Sequence, residues 1–188
     1  YEEDIANKSG FSTLLNLYTE SMLNLGKNVK LNAGVTSQYF LLNKHYTIEP
    51  RLSVKWQLKP LHSLTFAYGL NSRLEMLNYY FTKDEQGNEV NKDLDFTKAH
   101  HFSLAYDLAM SENTHLRIEP YFQWLYDVPV IGGNSTFSMI NLQGNDDWFM
   151  SDHLVNDGYA RNYGLDVTLE QYMKHGFFYT VTTSVYDS

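Results

Sequence analysis

Charged side chains fall on every second position in several stretches of this chain, and that spacing is the first chemistry it offers. Lys30, Arg51, Lys55, Arg73, Asp107, Arg117, Asp166 and Glu170 all stand on the polar phase of alternating segments. A strand would carry each set to one face, where ion pairs and hydrogen bonds to a polar partner become possible. A second group lies in the stretch from Val128 to Arg161, where Phe137, Met139, Asn141, Asn145, Asp146, Asp147, Trp148 and Phe149 mix aromatic and polar groups. Such a mixture suits contact with a small polar ligand, and long links also tolerate it without any contact.

Two further clusters carry weaker chemistry. Asp84, Glu85, Glu89, Asp93 and Asp95 lie between Leu74 and Thr97; they could offer oxygen ligands to Ca²⁺, but the fixed spacing and tight Gly turn of such sites are missing, which favours a solvated acidic loop. His100 and His101 are adjacent. On a strand they point to opposite faces and cannot share an ion without a bulge, so hydrogen bonding at a strand entrance is the better reading. No Gly-x-Ser-x-Gly elbow, His-Glu-x-x-His pair or phosphate loop occurs, and no catalytic, cofactor-binding or metal-ligating residue is assigned. Enzyme activity is not expected.

The elements that must position these groups are strands. Read with a period of two, the chain divides into eight stretches of roughly ten residues, about what a tilted strand needs to cross a bilayer. Leu52, Val54, Trp56 and Leu58 oppose Arg51, Ser53, Lys55 and Gln57; Leu64, Phe66, Tyr68 and Leu70 oppose Thr65, Ala67, Gly69, Asn71 and Arg73. Phe102, Leu104, Tyr106 and Leu108 oppose His101, Ser103, Ala105 and Asp107, while Tyr163, Leu165, Val167 and Leu169 oppose Asp166, Thr168 and Glu170. The second stretch, from Val29, and the sixth, from Leu116, agree; the first, Phe11 to Leu23, and the last, Phe177 to Asp187, are less regular. The prediction is an all-β, antiparallel up-and-down meander occupying 1–188 as a single segment of barrel wall.

Connections alternate in length. Short turns fall near Leu25-Gly26-Lys27-Asn28, Lys59-Pro60-Leu61-His62, Ser111-Glu112-Asn113-Thr114 and Lys174-His175-Gly176, whereas the intervening links run about Leu42 to Glu49, Leu74 to Thr97 and Val128 to Arg161. That asymmetry matches an outer-membrane barrel. A soluble barrel alternates in the same way with its oily face inward. Two features favour lipid. Aromatic residues gather toward strand ends, with Tyr39, Tyr68, Trp124, Tyr126 and Tyr163 near the long links and Trp56, Phe177 and Tyr179 near the short turns. The polar face also carries too many charges, Asp127 and Glu119 among them, for a dry core.

Small residues Gly34, Gly69, Ala105 and Gly164 lie on the polar face, either to relieve coiling or to admit a second element. Pro120, mid-strand on the oily face, predicts a bulge or local break.

Composition narrows the class. The chain has 15 Tyr, 11 Phe and 3 Trp, no Cys and a net charge of -8. Absent thiols exclude disulfides and thiolate chemistry, and a net negative chain with scattered cations excludes a nucleic-acid partner. No run of about 18 apolar residues exists, so no transmembrane helix is expected.

The stretch Pro50-Arg51-Leu52-Ser53-Val54-Lys55-Trp56-Gln57 followed by His62-Ser63-Leu64-Thr65-Phe66-Ala67-Tyr68-Gly69-Leu70-Asn71-Ser72 resembles a strand, turn and strand of TonB-dependent outer-membrane receptors of Bacteroidetes. Phe96 to His101, Tyr121 to Pro129 and Arg161 to Glu170 carry the same resemblance, which covers most of the chain from about Asn28. It implies a barrel of about 22 strands, an N-terminal plug, a TonB-gripped periplasmic segment and, in many such relatives, a carboxypeptidase-regulatory-like domain before the plug. Eight strands cannot make that barrel, so the chain reads as a portion of its wall, in contact with outer-membrane lipid and with the plug of the same parent chain; Lys30, Arg51, Lys55, Arg73, Asp107, Arg117, Asp166 and Glu170 would face the lumen and hold that plug by salt bridges and hydrogen bonds, and a surface lipoprotein is a further partner to test. Import of a siderophore, vitamin, glycan or peptide would belong to the parent. The alternatives are a self-contained eight-stranded anchor or adhesin and a soluble ligand-binding barrel.

Overall fold

The computed structural model describes residues 12–133, 135–141, 152–174 and 176–188. Eight strands form one antiparallel sheet in sequence order: β1 (Leu14–Asn24), β2 (Val29–Phe40), β3 (Tyr46–Lys59), β4 (His62–Arg73), β5 (Thr97–Ala109), β6 (Thr114–Ile131), β7 (Leu154–Lys174) and β8 (Phe177–Asp187). Among the described residues helix is confined to α1 (Leu77–Tyr80) and a short 3₁₀ turn at Met139–Asn141. No helix among the described residues is long and apolar enough to cross a membrane.

Alternation sets the sheet's register. Leu31, Val54, Phe66 and Leu104 fall in one cross-strand row, and Asn32, Ser53, Ala67 and Ser103 in the next. A one-residue slip would exchange the two faces of a strand, so the period of two fixes the pairing wherever the faces differ this much. The polar phase lines a trough of about 1130 Å³, with Glu20, Arg51, Asn71, His101, Glu119 and Asp166 on its wall. The apolar phase is turned the other way: Trp56 is 50% exposed, Leu104 42% and Leu165 41%. A soluble barrel would have buried these three together; here the oily face is the outer one.

Turns close the short end. Gly26 (φ +83°) and Gly176 (φ +80°) occupy left-handed conformations in the β1–β2 and β7–β8 connections, where a Cβ would be strained.

Two expectations about strand limits are corrected, and a third, at Pro120, is met in its second form. The link expected from Leu42 to Glu49 spans only 41–45, because β3 begins at Tyr46 and pairs Tyr46 with Tyr39 and Thr47 with Gln38. The link expected from Val128 to Arg161 is shortened from both sides, by β6 reaching Ile131 and β7 starting at Leu154. Of the bulge or local break expected at Pro120, the structure shows the local break. Pro120 stays in register opposite Leu165, and on its other side the β5–β6 pairing lapses between Ser103–Tyr121 and Tyr106–Ile118 and resumes unshifted. The missing N–H removes a bond without adding a residue, so the break is local. The register shifts in β6 instead fall near Val128, where Asp127 takes φ +55°.

A buried apolar cluster sits at the strand ends beside the long links. Phe40, Tyr79, Tyr80, Leu94, Phe96, Met139 and Leu154 form it, with Leu42, Leu74, Ile131 and Phe137 packed against it. The acidic stretch from Leu74 to Thr97 is therefore a folded cap with an apolar interior, in addition to its solvated carboxylates.

Candidate functional site

The concave wall carries the predicted ionic residues by parity of position. Lys30 faces Lys55, Asp107 faces Arg117, and His115 faces Glu170 across neighbouring strands, in rows that share the phase of Arg51 and Asp166. Arg117 donates to Glu119 through Nε at 2.8 Å and to Asp107 through Nη1 at 3.4 Å, linking β5 and β6. Arg51 donates to Asn71 Oδ1 at 3.2 Å and lies 3.8 Å from Glu49. Arg73 stands at the end of β4, largely exposed and 3.8 Å from Glu75, so it belongs to the rim above the wall. Glu170 accepts from the Tyr172 hydroxyl at 3.2 Å.

A buried polar knot sits where β3 and β4 part. Their pairing stops at Arg51–Gly69, next to Pro50, which has no N–H to give. Glu49, 2% exposed, fills the gap: it accepts from Gln38 Nε2 at 2.6 Å, from Thr47 Oγ1 at 3.0 Å and from the Ser72 hydroxyl. Burial of this side chain is offset by three donors, one each from β2, β3 and β4, that converge on its Oε1. The sequence reading placed Glu49 in a link and so missed it; its position two residues before Arg51, on the same phase, was the available signal.

The rim is interlocked by asparagines. Asn43 Nδ2 donates to the carbonyls of Lys92 at 3.2 Å and Leu94 at 2.8 Å, tying the β2–β3 link to the β4–β5 cap. Asn91 donates to Asp152 O at 3.0 Å and accepts from the Leu154 N–H at 2.8 Å, tying that cap to β7. Asn156 Nδ2 donates to the carbonyls of Asp95 and Asp127, and its Oδ1 accepts from the Asp95 N–H at 2.9 Å. Lys98 Nζ lies 3.0 Å from Asp95 and 2.8 Å from Asp127; the left-handed backbone of Asp127 at the bulge delivers its carboxylate there. Asn91 is 1% exposed, and Asn91→Ala should cost about 1–3 kcal/mol by leaving the Leu154 N–H unpaired. Faster amide exchange at Leu154, with the wall unchanged, is the result to measure.

Within the cap, Asp84 closes a turn by accepting from the N–H groups of Gln86 at 3.0 Å and Asn88 at 2.8 Å. The Asn88 side-chain amide, then its N–H, hold the Asp84 carboxyl below its ordinary value. A carboxyl depressed in the folded state stabilises above its unfolded value of about 4 and loses that contribution as pH falls through the lower folded one. Protection of the Asn88 amide should therefore fall on acidification, and Asp84→Asn should abolish that pH dependence. Among the described residues no group of three or more His, Asp or Glu side chains is placed to hold a metal ion.

Of the candidate ligand-contacting residues, Phe137 packs against the rim cluster and Asn141 ends the 3₁₀ turn. Asp146, Asp147 and Trp148 lie outside the described residues. His100 and His101 separate as predicted for adjacent strand residues. His100 joins an outer aromatic set, 3.1 Å from the Tyr68 hydroxyl and 5.2 Å from the Tyr126 ring, while His101 lines the trough.

Comparison with solved structures defines the architectural class: this sheet is built like the wall of a transporter barrel. The FrpB iron transporter from Neisseria meningitidis, F3-3 variant, matches with a TM-score of 0.65 and 16% identity over 93% of this chain and 25% of its own. The apoprotein form of the F5-1 variant gives 0.64 and 16% over 93% and 26%, and a second F5-1 structure gives 0.62 and 15% over the same shares. The chain thus spans about a quarter of the length of the structures it matches. No family model and no curated protein matches the sequence.

Proposed function

We propose that this chain is part of the barrel wall of a TonB-dependent outer-membrane receptor that imports a nutrient, and that its transport activity resides in the whole parent protein. The observation that carries the reading is the inversion of the sheet: an oily outer face and a charged concave one, on a fold shared with a quarter of an iron transporter. Lipid on the outside and water inside account for both faces at once. The plug of the parent would occupy the trough, TonB would act through the parent's periplasmic segment, and a surface lipoprotein would meet the rim. The sequence resemblance favours a Bacteroidetes receptor carrying the regulatory-like domain, and siderophores, other iron carriers, vitamins, glycans and peptides are the substrate classes to try.

The self-contained eight-stranded barrel is disfavoured by the sheet order, since β1 and β8 pair with β2 and β7 alone among the described strands. Deleting the parent gene and growing the strain on iron chelates, cobalamin, glycans and peptides as limiting nutrients tests the proposal. Loss of growth on one class, restored by the gene only when TonB is present, is expected; undiminished growth on every class would refute it.

A further inference from the structure

The outer face carries a charge that its phase does not explain. Arg161 shares the outward phase of Tyr163 and Leu165 on β7, stands one step nearer the long links, is exposed, and lies directly opposite Trp124 of β6. Toward the long links two permanent cations occupy this phase among the described strands, Lys98 and Arg161. Lys98 is neutralised by Asp95 at 3.0 Å and Asp127 at 2.8 Å. Arg161 makes no ion pair among the described residues; the Asp187 carboxylate, opposite Tyr163, accepts the Tyr163 hydroxyl at 2.6 Å instead. A guanidinium does not shed its proton, so on a face turned to hydrocarbon it must find an anion or water.

The register sets a second donor beside it. His100 pairs with Trp124, and Trp124 with Arg161, so the indole stands between the imidazole and the guanidinium on three successive strands. The backbones of β5 and β7 are two strand spacings apart there, about 10 Å, a gap that the long Arg161 side chain narrows. The Tyr68 hydroxyl stands 3.1 Å from His100 Nδ1. With that hydroxyl donating, the neutral ring carries its proton on Nε2, which has no acceptor among the described residues. Stacking fixes the ring: the Tyr126 centroid lies 5.2 Å away at 17° and that of Tyr68 6.0 Å away at 21°.

The outer face is also recessed here. Leu52, Phe66, Tyr68, His100, Phe102 and Trp124 line an apolar groove of about 500 Å³ across β3 to β6. His100 and Trp124 belong both to this groove and to the row that ends at Arg161. An apolar chain lying in the groove would therefore bring a group attached to its end to His100 and Arg161.

We infer that this junction is a seat for a phosphate-bearing membrane lipid, with an acyl chain in the groove and phosphate oxygens accepting hydrogen bonds from the Arg161 guanidinium and the His100 Nε2–H. This rests on the receptor reading above, which turns the face to the bilayer, and adds a choice among lipids: the wall holds an anionic one in preference to a zwitterionic one. An arginine merely extended to water would need neither groove nor histidine and would prefer no lipid.

Native mass spectrometry of the full-length parent, released from phosphatidylcholine nanodiscs doped with phosphatidic acid, tests this. Phosphatidic acid should stay bound in excess of its share of the bilayer, and Arg161→Gln should weaken its retention about tenfold, the weight of one charge-assisted hydrogen bond. His100→Phe, which keeps a ring in the stack, should weaken it in the same direction, whereas Lys27→Gln, which removes an equal charge at the short-turn end, should leave it unchanged. Benzoylphenylalanine at Leu165, on the same face but outside the groove, reports contact with acyl chains whatever their head group. Acyl adducts at Leu165 together with lipids retained in proportion to their abundance, with retention unchanged in Arg161→Gln, or with phosphatidic acid displaced by equimolar inorganic phosphate overturn the lipid seat and leave the receptor reading standing. No acyl adduct at Leu165 overturns both.

Discussion

A parent receptor carrying Phe66→Arg is expected to lose about 2–4 kcal/mol of stability in a bilayer. Phe66 lies midway along β4 on the outer face, in the row of Val54 and Leu104, and is 40% exposed. A guanidinium there must either enter hydrocarbon or bend toward an interface, and mid-strand positions leave the longest path. Thr65→Arg, one residue earlier, turns to the trough and should cost under about 1 kcal/mol, because that face is wet. Urea titration of the folded fraction in lipid vesicles separates the two. Equal losses would contradict the assignment of faces, and a larger loss for Thr65→Arg would reverse it.

The second large effect is at the rim. Phe96 is fully buried in the cluster of Phe40, Tyr79, Tyr80, Leu94, Met139 and Leu154, so Phe96→Ala should destabilise the cap by about 3–5 kcal/mol through lost burial and a residual cavity. The damage should stay local, since the cluster touches the sheet only at the strand ends, through Phe40 and Leu154, and the wall has its own ladder of hydrogen bonds. Hydrogen exchange should accelerate at the Val90 and Leu94 amides, which donate to Thr82 O and Asn91 O, while β4 and β5 keep their protection. Uniform loss across the sheet would show that cap and wall unfold as one unit, against this account.

The wall was legible in the sequence because its two solvents differ: every strand had to alternate, and Leu52 through Leu58 or Phe102 through Leu108 announce their register in four residues. The rim was not. Tyr79 and Tyr80 stand in a stretch of Asp, Glu, Asn and Lys with no periodicity, and the apolar residues that bury them come from three different links. Glu49 was placed at the end of a link, whereas in the structure the strand already runs from Tyr46, and Pro50 ends only the pairing with β4 and leaves that with β2 intact. Asn43, Asn91 and Asn156 are ordinary loop residues by type; their roles depend on contacts as far as 63 positions away in the chain, as between Asn91 and Leu154, which no local pattern records. Pro120 was legible as a breaker, since the β5–β6 pairing lapses beside it, whereas the register shifts near Val128 had no such signal.

Beyond its two faces the sheet has two open sides. β1 and β8 are exposed along their whole length, with Leu17, Tyr18, Phe177 and Val185 among the exposed apolar residues. Edges of this kind invite pairing with further strands, and in the receptor reading the parent's remaining wall supplies them.

The most direct test is a spin-label scan of β5 in the full parent protein reconstituted in vesicles, using single cysteines from position 102 to 107; this chain has no Cys of its own to remove. Labels at Phe102, Leu104 and Tyr106 should be relaxed by oxygen dissolved in the bilayer, and labels at Ser103, Ala105 and Asp107 should not. The opposite phase, or no period of two, would contradict a wall with lipid outside and water within.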